Sequence, residues 1–116
     1  MIRILVVDDE EHIRNLISII LTNAGYDVVT ARDGEEGLRR FNESCFDLVV
    51  TDIIMPKYNG DEIARHIHNS GKKIPVVGIT GTAWDVDRSY FDIIINKPFA
   101  LEEFVGCIKE IAGAKK

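Results

Sequence analysis

Cysteine is scarce in this 116-residue chain: Cys45 and Cys107 stand far apart and neither has a CxxC partner. That excludes a disulfide framework and leaves two buried or half-buried free thiols as the expectation. Long apolar runs are missing too, none approaching the roughly 18 residues of a membrane span. The first three residues lead straight into a strand-like run without the anatomy of a signal peptide, so a cytoplasmic location with no membrane contact is expected. There is no basic excess. A net charge of −5 argues against direct nucleic-acid binding, because a phosphate backbone calls for a basic face, and Lys115 and Lys116 are too short a tract to supply one. Repeats, low-complexity tracts and linkers are also lacking, which leaves a single domain over 1–116 with the apolar and charged shares of an ordinary globular protein.

What the chain does have is an alternation of aliphatic runs with helical periodicity. Residues 2–7, 27–31, 46–52, 74–80 and 91–95 are short and rich in Val and Ile, as strands are. Ile13, Leu16, Ile17, Ile20 and Leu21 recur at helical spacing, followed by Gly25 where a C-terminal glycine cap would sit. Asp33 with Glu36 three residues on marks a second helix start, with Leu38 and Phe41 on its apolar face. Ile63, Ala64 and Ile67 mark a third helix, and Leu101, Phe104, Val105, Ile108 and Ile111 the last. The Asn59-Gly60 pair reads as a turn, and residues 81–90 hold at most one or two helical turns. Strands apolar throughout, alternating with helices, imply an α/β parallel sheet covered on both faces.

In such a sheet, ligands bind at the carboxyl ends of the strands. Asp8 and Asp9 follow the first strand, Asp52 ends the third, Thr80 the fourth, and Lys97 follows the fifth. Three gathered carboxylates repel one another, by roughly 4 kcal/mol per pair at 4 Å in an effective dielectric of about 20. Raised pKa values or a bound cation can offset this, and an all-oxygen cluster suits a hard ion such as Mg²⁺. His12 reads as a solvated helix residue rather than a ligand. With a metal in place, Asp52 could attack a phosphoryl group whose oxygens the metal and Lys97 neutralise, Thr80 donating its hydroxyl to one of them.

The acidic pair Asp8-Asp9, Asp52 followed by Met55-Pro56 and Gly60, Thr80, and Lys97-Pro98-Phe99 occur in the order and spacing of one family. The whole chain resembles the receiver domain of two-component response regulators. The resemblance implies a flavodoxin-like, doubly wound five-stranded sheet of order 2-1-3-4-5 with flanking helices. It further implies that Asp52 is the phosphoacceptor, served by a sensor histidine kinase, a histidine phosphotransfer protein or a small donor such as acetyl phosphate. Asp9 and Asp52 would ligate Mg²⁺ directly, Asp8 mostly through water, and the backbone carbonyl of Ile54 would complete the site. Lys97 and Thr80 would read the phosphoryl oxygens, and the Lys97-Pro98 bond would be cis. Such a domain catalyses only its own phosphorylation and dephosphorylation, and relays them through the surface of the fourth strand, fourth helix and fifth strand.

The chain departs from the family pattern between its fourth and fifth strands. Ile94 stands where a switch aromatic is usual, and Thr80 and Lys97 are closer by roughly one helical turn. The intervening fourth helix is therefore expected to be short, irregular or displaced. Trp84 and Tyr90 in that stretch either pack over the core or belong to a partner or homodimer surface. Within the class, the alternative is a pseudo-receiver, a phosphate-independent interaction module using residues 81–95. A Mg²⁺-dependent phosphatase would want a second Asp where Ile54 stands, and a flavin carrier would want a phosphate cradle where Asp8 and Asp9 stand. No further domain is recognisable after residue 114, which fits both a stand-alone receiver and a piece of a longer regulator.

Overall fold

The aliphatic runs form strands because β-branched side chains suit a pleated surface covered on both sides. A computed structural model describes residues 1–55, 58–81 and 88–114. In chain order the elements are β1 (Arg3–Val7), α1 (Glu11–Asn23), β2 (Asp27–Ala31), α2 (Gly34–Glu43), β3 (Leu48–Asp52), α3 (Gly60–Asn69), β4 (Val76–Thr80), β5 (Ile93–Asn96) and α4 (Leu101–Ala114). All neighbouring strands are parallel, in the order β2-β1-β3-β4-β5. This is the doubly wound, flavodoxin-like sheet expected.

Alternation along each strand splits the core in two. Leu5 and Val7 of β1 and Val49 of β3 pack with Phe41 of α2 and Ile63, Ala64 and Ile67 of α3. Ile4, Val6, Leu48 and Val50 point the other way, onto Ile17 and Leu21 of α1 and Phe104 and Ile108 of α4. Each such Ile, Leu or Phe side chain contributes about 1.5–3 kcal/mol when taken fully out of water. No helix among the described residues is long and apolar enough to cross a membrane.

Local signals explain most element ends. Asp33 Oδ1 accepts from the Glu36 amide at 2.8 Å, and Glu36 Oε1 accepts from the Arg32 amide at 2.8 Å, so both residues tie down the start of α2. Gly25, at φ +99°, turns the chain after α1. Its position lets the Tyr26 amide reach the Leu21 carbonyl at 3.1 Å, closing the helix end.

Several expectations need correction. Asn59 starts α3 rather than making a turn with Gly60: its amide donates to Glu62 Oε1 at 3.2 Å, and its own Oδ1 accepts from the Met55 amide at 3.1 Å. Leu16 is 40% exposed, because the buried stripe of α1 runs through Ile17 and Leu21, about 100–140° round the helix from it. Cys45 is exposed, in the loop before β3, while Cys107 is half-buried. Strands β3, β4 and β5 begin later than expected. Phe46 is buried outside the ladder, and Pro75, which has no N–H, only accepts, from the Val49 amide at 3.1 Å. The short helix expected between β4 and β5, with Trp84, falls largely on residues 82–87 and lies outside the described residues. Tyr90 packs on the core beside α3, its ring 5.1 Å from that of His68.

Candidate functional site

Parallel strands put their carboxyl ends on one edge, and there the chain places its polar residues. The Asp8 amide still donates to the Ala31 carbonyl at 3.1 Å, so β1 pairing continues one residue beyond Val7. The chain then turns, with the Glu10 amide donating to Asp8 Oδ1 at 2.9 Å and Arg14 Nη1 to the Asp8 carbonyl at 2.9 Å. These bonds hold the Asp8 side chain inward at 1% exposure, and its Oδ2 is buried without a hydrogen-bond partner among the described residues.

Asp52 ends β3 in register with Ile79 and is 6% exposed. Pairing persists past it, the Ile53 amide donating to the Ile79 carbonyl at 2.9 Å. The Lys97 amide donates to the Thr80 carbonyl at 2.8 Å, which seats Lys97 beside the end of β4, and Thr80 itself is 1% exposed. From there Lys97 Nζ reaches Asp52 Oδ2 at 3.3 Å and Glu10 Oε1 at 3.4 Å. The Lys97-Pro98 bond is cis, as the resemblance implied.

Burial is the main cause of the electrostatics. It pushes Asp8 up from 3.8 to about 6, with the charges of Asp52 and Asp9 adding and the Glu10 amide and Lys97 opposing. Burial also raises Asp52, and Asp9 adds to this, while Lys97 and the Ile53 amide pull it back. The Lys97 ammonium would be depressed by its own burial, but Asp52, Asp8 and Glu10 outweigh that and hold it above the ordinary lysine value.

Of the residues expected from sequence, Asp8, Asp52 and Lys97 converge, and Thr80 lies at the same sheet edge. Ile54 is two residues past Asp52 and is 55% exposed. Asp9 is exposed and reaches Asp8 and Asp52 through its charge. The carboxylates whose oxygens lie within 4.8 Å of one another are those of Asp8, Asp52 and Glu10. Glu10 was not anticipated, because an acid next to a helix start reads as a partner of the helix dipole. An unpartnered buried Asp8 oxygen among all-oxygen donors fits a hard divalent cation such as Mg²⁺.

The family model of the response regulator receiver domain matches residues 4–109. The chain belongs to this family. Among curated proteins, this receiver domain is 35% identical over 114 residues to the alkaline phosphatase synthesis transcriptional regulatory protein PhoP of Bacillus subtilis, covering 94% of this chain and 48% of PhoP. It is 48% identical over 82 residues to the CAI-1 autoinducer sensor kinase/phosphatase CqsS of Vibrio cholerae, covering 68% of this chain and 12% of CqsS. The chain spans about half the length of the curated regulators it matches first. Among solved structures, the receiver domain is similar to the response regulator TrrA of Thermotoga maritima in complex with Mg²⁺-BeF, at 36% identity and TM-score 0.88, covering 96% of this chain and 99% of that one.

Proposed function

We propose that Asp52 accepts a phosphoryl group from the phosphohistidine of a sensor histidine kinase or histidine phosphotransfer protein, and that the chain is a signalling receiver rather than a metabolic enzyme. The observation that carries this reading is the buried Asp52 carboxylate held 3.3 Å from the Lys97 ammonium at the carboxyl edge of the sheet. The likeness to TrrA, solved with Mg²⁺-BeF, supports it. Asp9 and Asp52 directly, Asp8 through water, and the Ile54 carbonyl would hold Mg²⁺, which when bound neutralises phosphoryl oxygens and aligns the donor.

An Asp52 oxygen forms the new bond to phosphorus as the bond from phosphorus to the donor imidazole nitrogen breaks, the nitrogen keeping the electron pair. Lys97 then moves its charge from the Asp52 carboxylate to the phosphoryl oxygens, and Thr80 donates its hydroxyl to one of them. Phosphorylation brings roughly two negative charges to a site walled by the ends of β3, β4 and β5. Thr80 and Lys97 sit at two of those ends, so their movement biases the β4–β5 surface between alternative arrangements. The route differs from an aromatic switch, because Ile94 pairs in register with Gly78 and offers no ring to swing.

Intact mass after incubation with Mg²⁺ and acetyl phosphate tests the reading. Wild type is expected to gain one phosphoryl group and Asp52→Asn none; equal labelling of both would show that the acceptor lies elsewhere. A second expectation concerns persistence. The apolar Ile54 side chain gives a hydrolytic water nothing to hydrogen-bond, so Ile54→Asn should shorten the lifetime of phosphorylated Asp52, by less than the roughly 100-fold at which proton-transferring groups begin, because an amide positions the water without taking its proton. A lifetime unchanged in the variant counts against this role.

A further inference from the structure

Glu10 occupies the N-cap position of α1, where Ser, Thr, Asp or Asn is usual because a short side chain can accept from the first helical amides. Its side chain makes no such bond. It turns instead to Lys97 Nζ, 87 positions along the chain and 3.4 Å away. The Glu10 side chain is 61% exposed and that of Asp52 only 7%, so the ammonium lies between an inner acid and an outer one. The Lys97 side chain is 25% exposed, so a phosphodonor approaching Asp52 meets the Glu10 carboxylate before it meets Lys97.

We propose that Glu10 is a specificity-determining residue that slows small dianionic phosphodonors at Asp52 relative to donors of lower charge. The proposal rests on the reading of Asp52 as phosphoacceptor. Coulomb repulsion grows with the charge of the donor, and at an exposed carboxylate it falls with salt. An influence of Glu10 on Asp52 itself acts on the acceptor and is the same for every donor, whereas its charge, acting on the donor directly or through its hold on Lys97, weighs more on the more highly charged one. The ratio of rates for two small donors of different charge therefore isolates the effect of that charge on the donor.

The test compares acetyl phosphate, a dianion at neutral pH, with phosphoramidate, a monoanion. With both, an Asp52 oxygen bonds to phosphorus while the leaving group departs with the electron pair, as acetate in one case and as ammonia from the already protonated nitrogen in the other. Rates are read by intact mass at fixed Mg²⁺. Glu10→Gln is expected to speed acetyl phosphate about threefold to tenfold and phosphoramidate distinctly less, a gap that narrows at high salt. Glu10→Asp, which keeps the charge, and Glu110→Gln, an exposed acid on α4, should retain the wild-type ratio. An unchanged ratio in Glu10→Gln, or an equal shift in either control, overturns the proposal. A folded wild type that takes no phosphoryl group from either donor overturns the acceptor reading instead.

Discussion

Gly60→Ala is expected to destabilise the domain by about 1–3 kcal/mol, the usual cost of forcing an extra carbon into a packed site. Helix α3 begins hard against the end of β3: the Gly60 amide donates to the Ile53 carbonyl at 2.7 Å. A Cβ there would stand 2.5 Å from the Asp52 carbonyl oxygen and 2.8 Å from the Ile53 Cα. Both obstacles are backbone, so no rotamer change relieves them, and the first turn of α3 has to move away from Asp52. Removing glycine from the unfolded chain offsets about 0.4–1 kcal/mol of this. The same substitution at Gly106 in α4 serves as the control of opposite sign. A Cβ at that position meets nothing within 4 Å, so Gly106→Ala should stabilise by about 0.5–1 kcal/mol. Urea denaturation of both variants checks the pair, and a Gly60→Ala midpoint at or above wild type would remove the close approach from the account of how Asp52 is held.

That approach shows where the sequence was readable and where it was not. Asp52 stood out because an ionisable side chain ends a run of buried aliphatic residues, and the structure puts it at the sheet edge with Asp8, Thr80 and Lys97. The elements were readable because Val, Ile and Leu repeat at strand and helix periods. The strand order came from resemblance to a family, since periodicity says which residues are buried and nothing about which strand lies beside which. Boundaries depended on individual partners: Asn59 reads as a turn residue until Met55 and Glu62 are seen bonded to it. Glu10 was hidden for a different reason. Its neighbours in sequence make it one of several acids at a helix start, and only the fold brings Lys97 to it.

Asp8→Asn is expected to stabilise the metal-free domain at pH 8 by about 1–3 kcal/mol. In the folded protein the Asp8 carboxyl titrates near 6 instead of 3.8, so the folded state holds its proton more tightly than the unfolded chain does. The contribution of Asp8 to stability is therefore fully present below about pH 4 and is lost as pH rises through 6, leaving a buried charge that disfavours folding by roughly 3 kcal/mol at neutral pH and above. The amide of the variant keeps an oxygen for the Glu10 N–H, which Asp8 Oδ1 now accepts at 2.9 Å. It also places an N–H donor among the Asp52 and Glu10 oxygens, where the unpartnered Asp8 Oδ2 now lies. Some of the gain is lost to burying that polar amide, hence the range. Because the wild type already carries much of the proton at pH 5, the advantage of the variant should shrink there, and titrating groups that do not feel the charge of Asp8 cancel in the difference. Urea denaturation in chelator at pH 5 and pH 8 measures both. Saturating Mg²⁺ should then reverse the order of benefit: a ligand at 100 times its Kd stabilises by about 2.7 kcal/mol, and the variant, having lost a carboxylate of the cluster, should gain less. If Asp8→Asn is no more stable than wild type at pH 8 in chelator, the buried charge of Asp8 is not the destabilising feature of the metal-free site, and the case for a cation there loses its energetic basis.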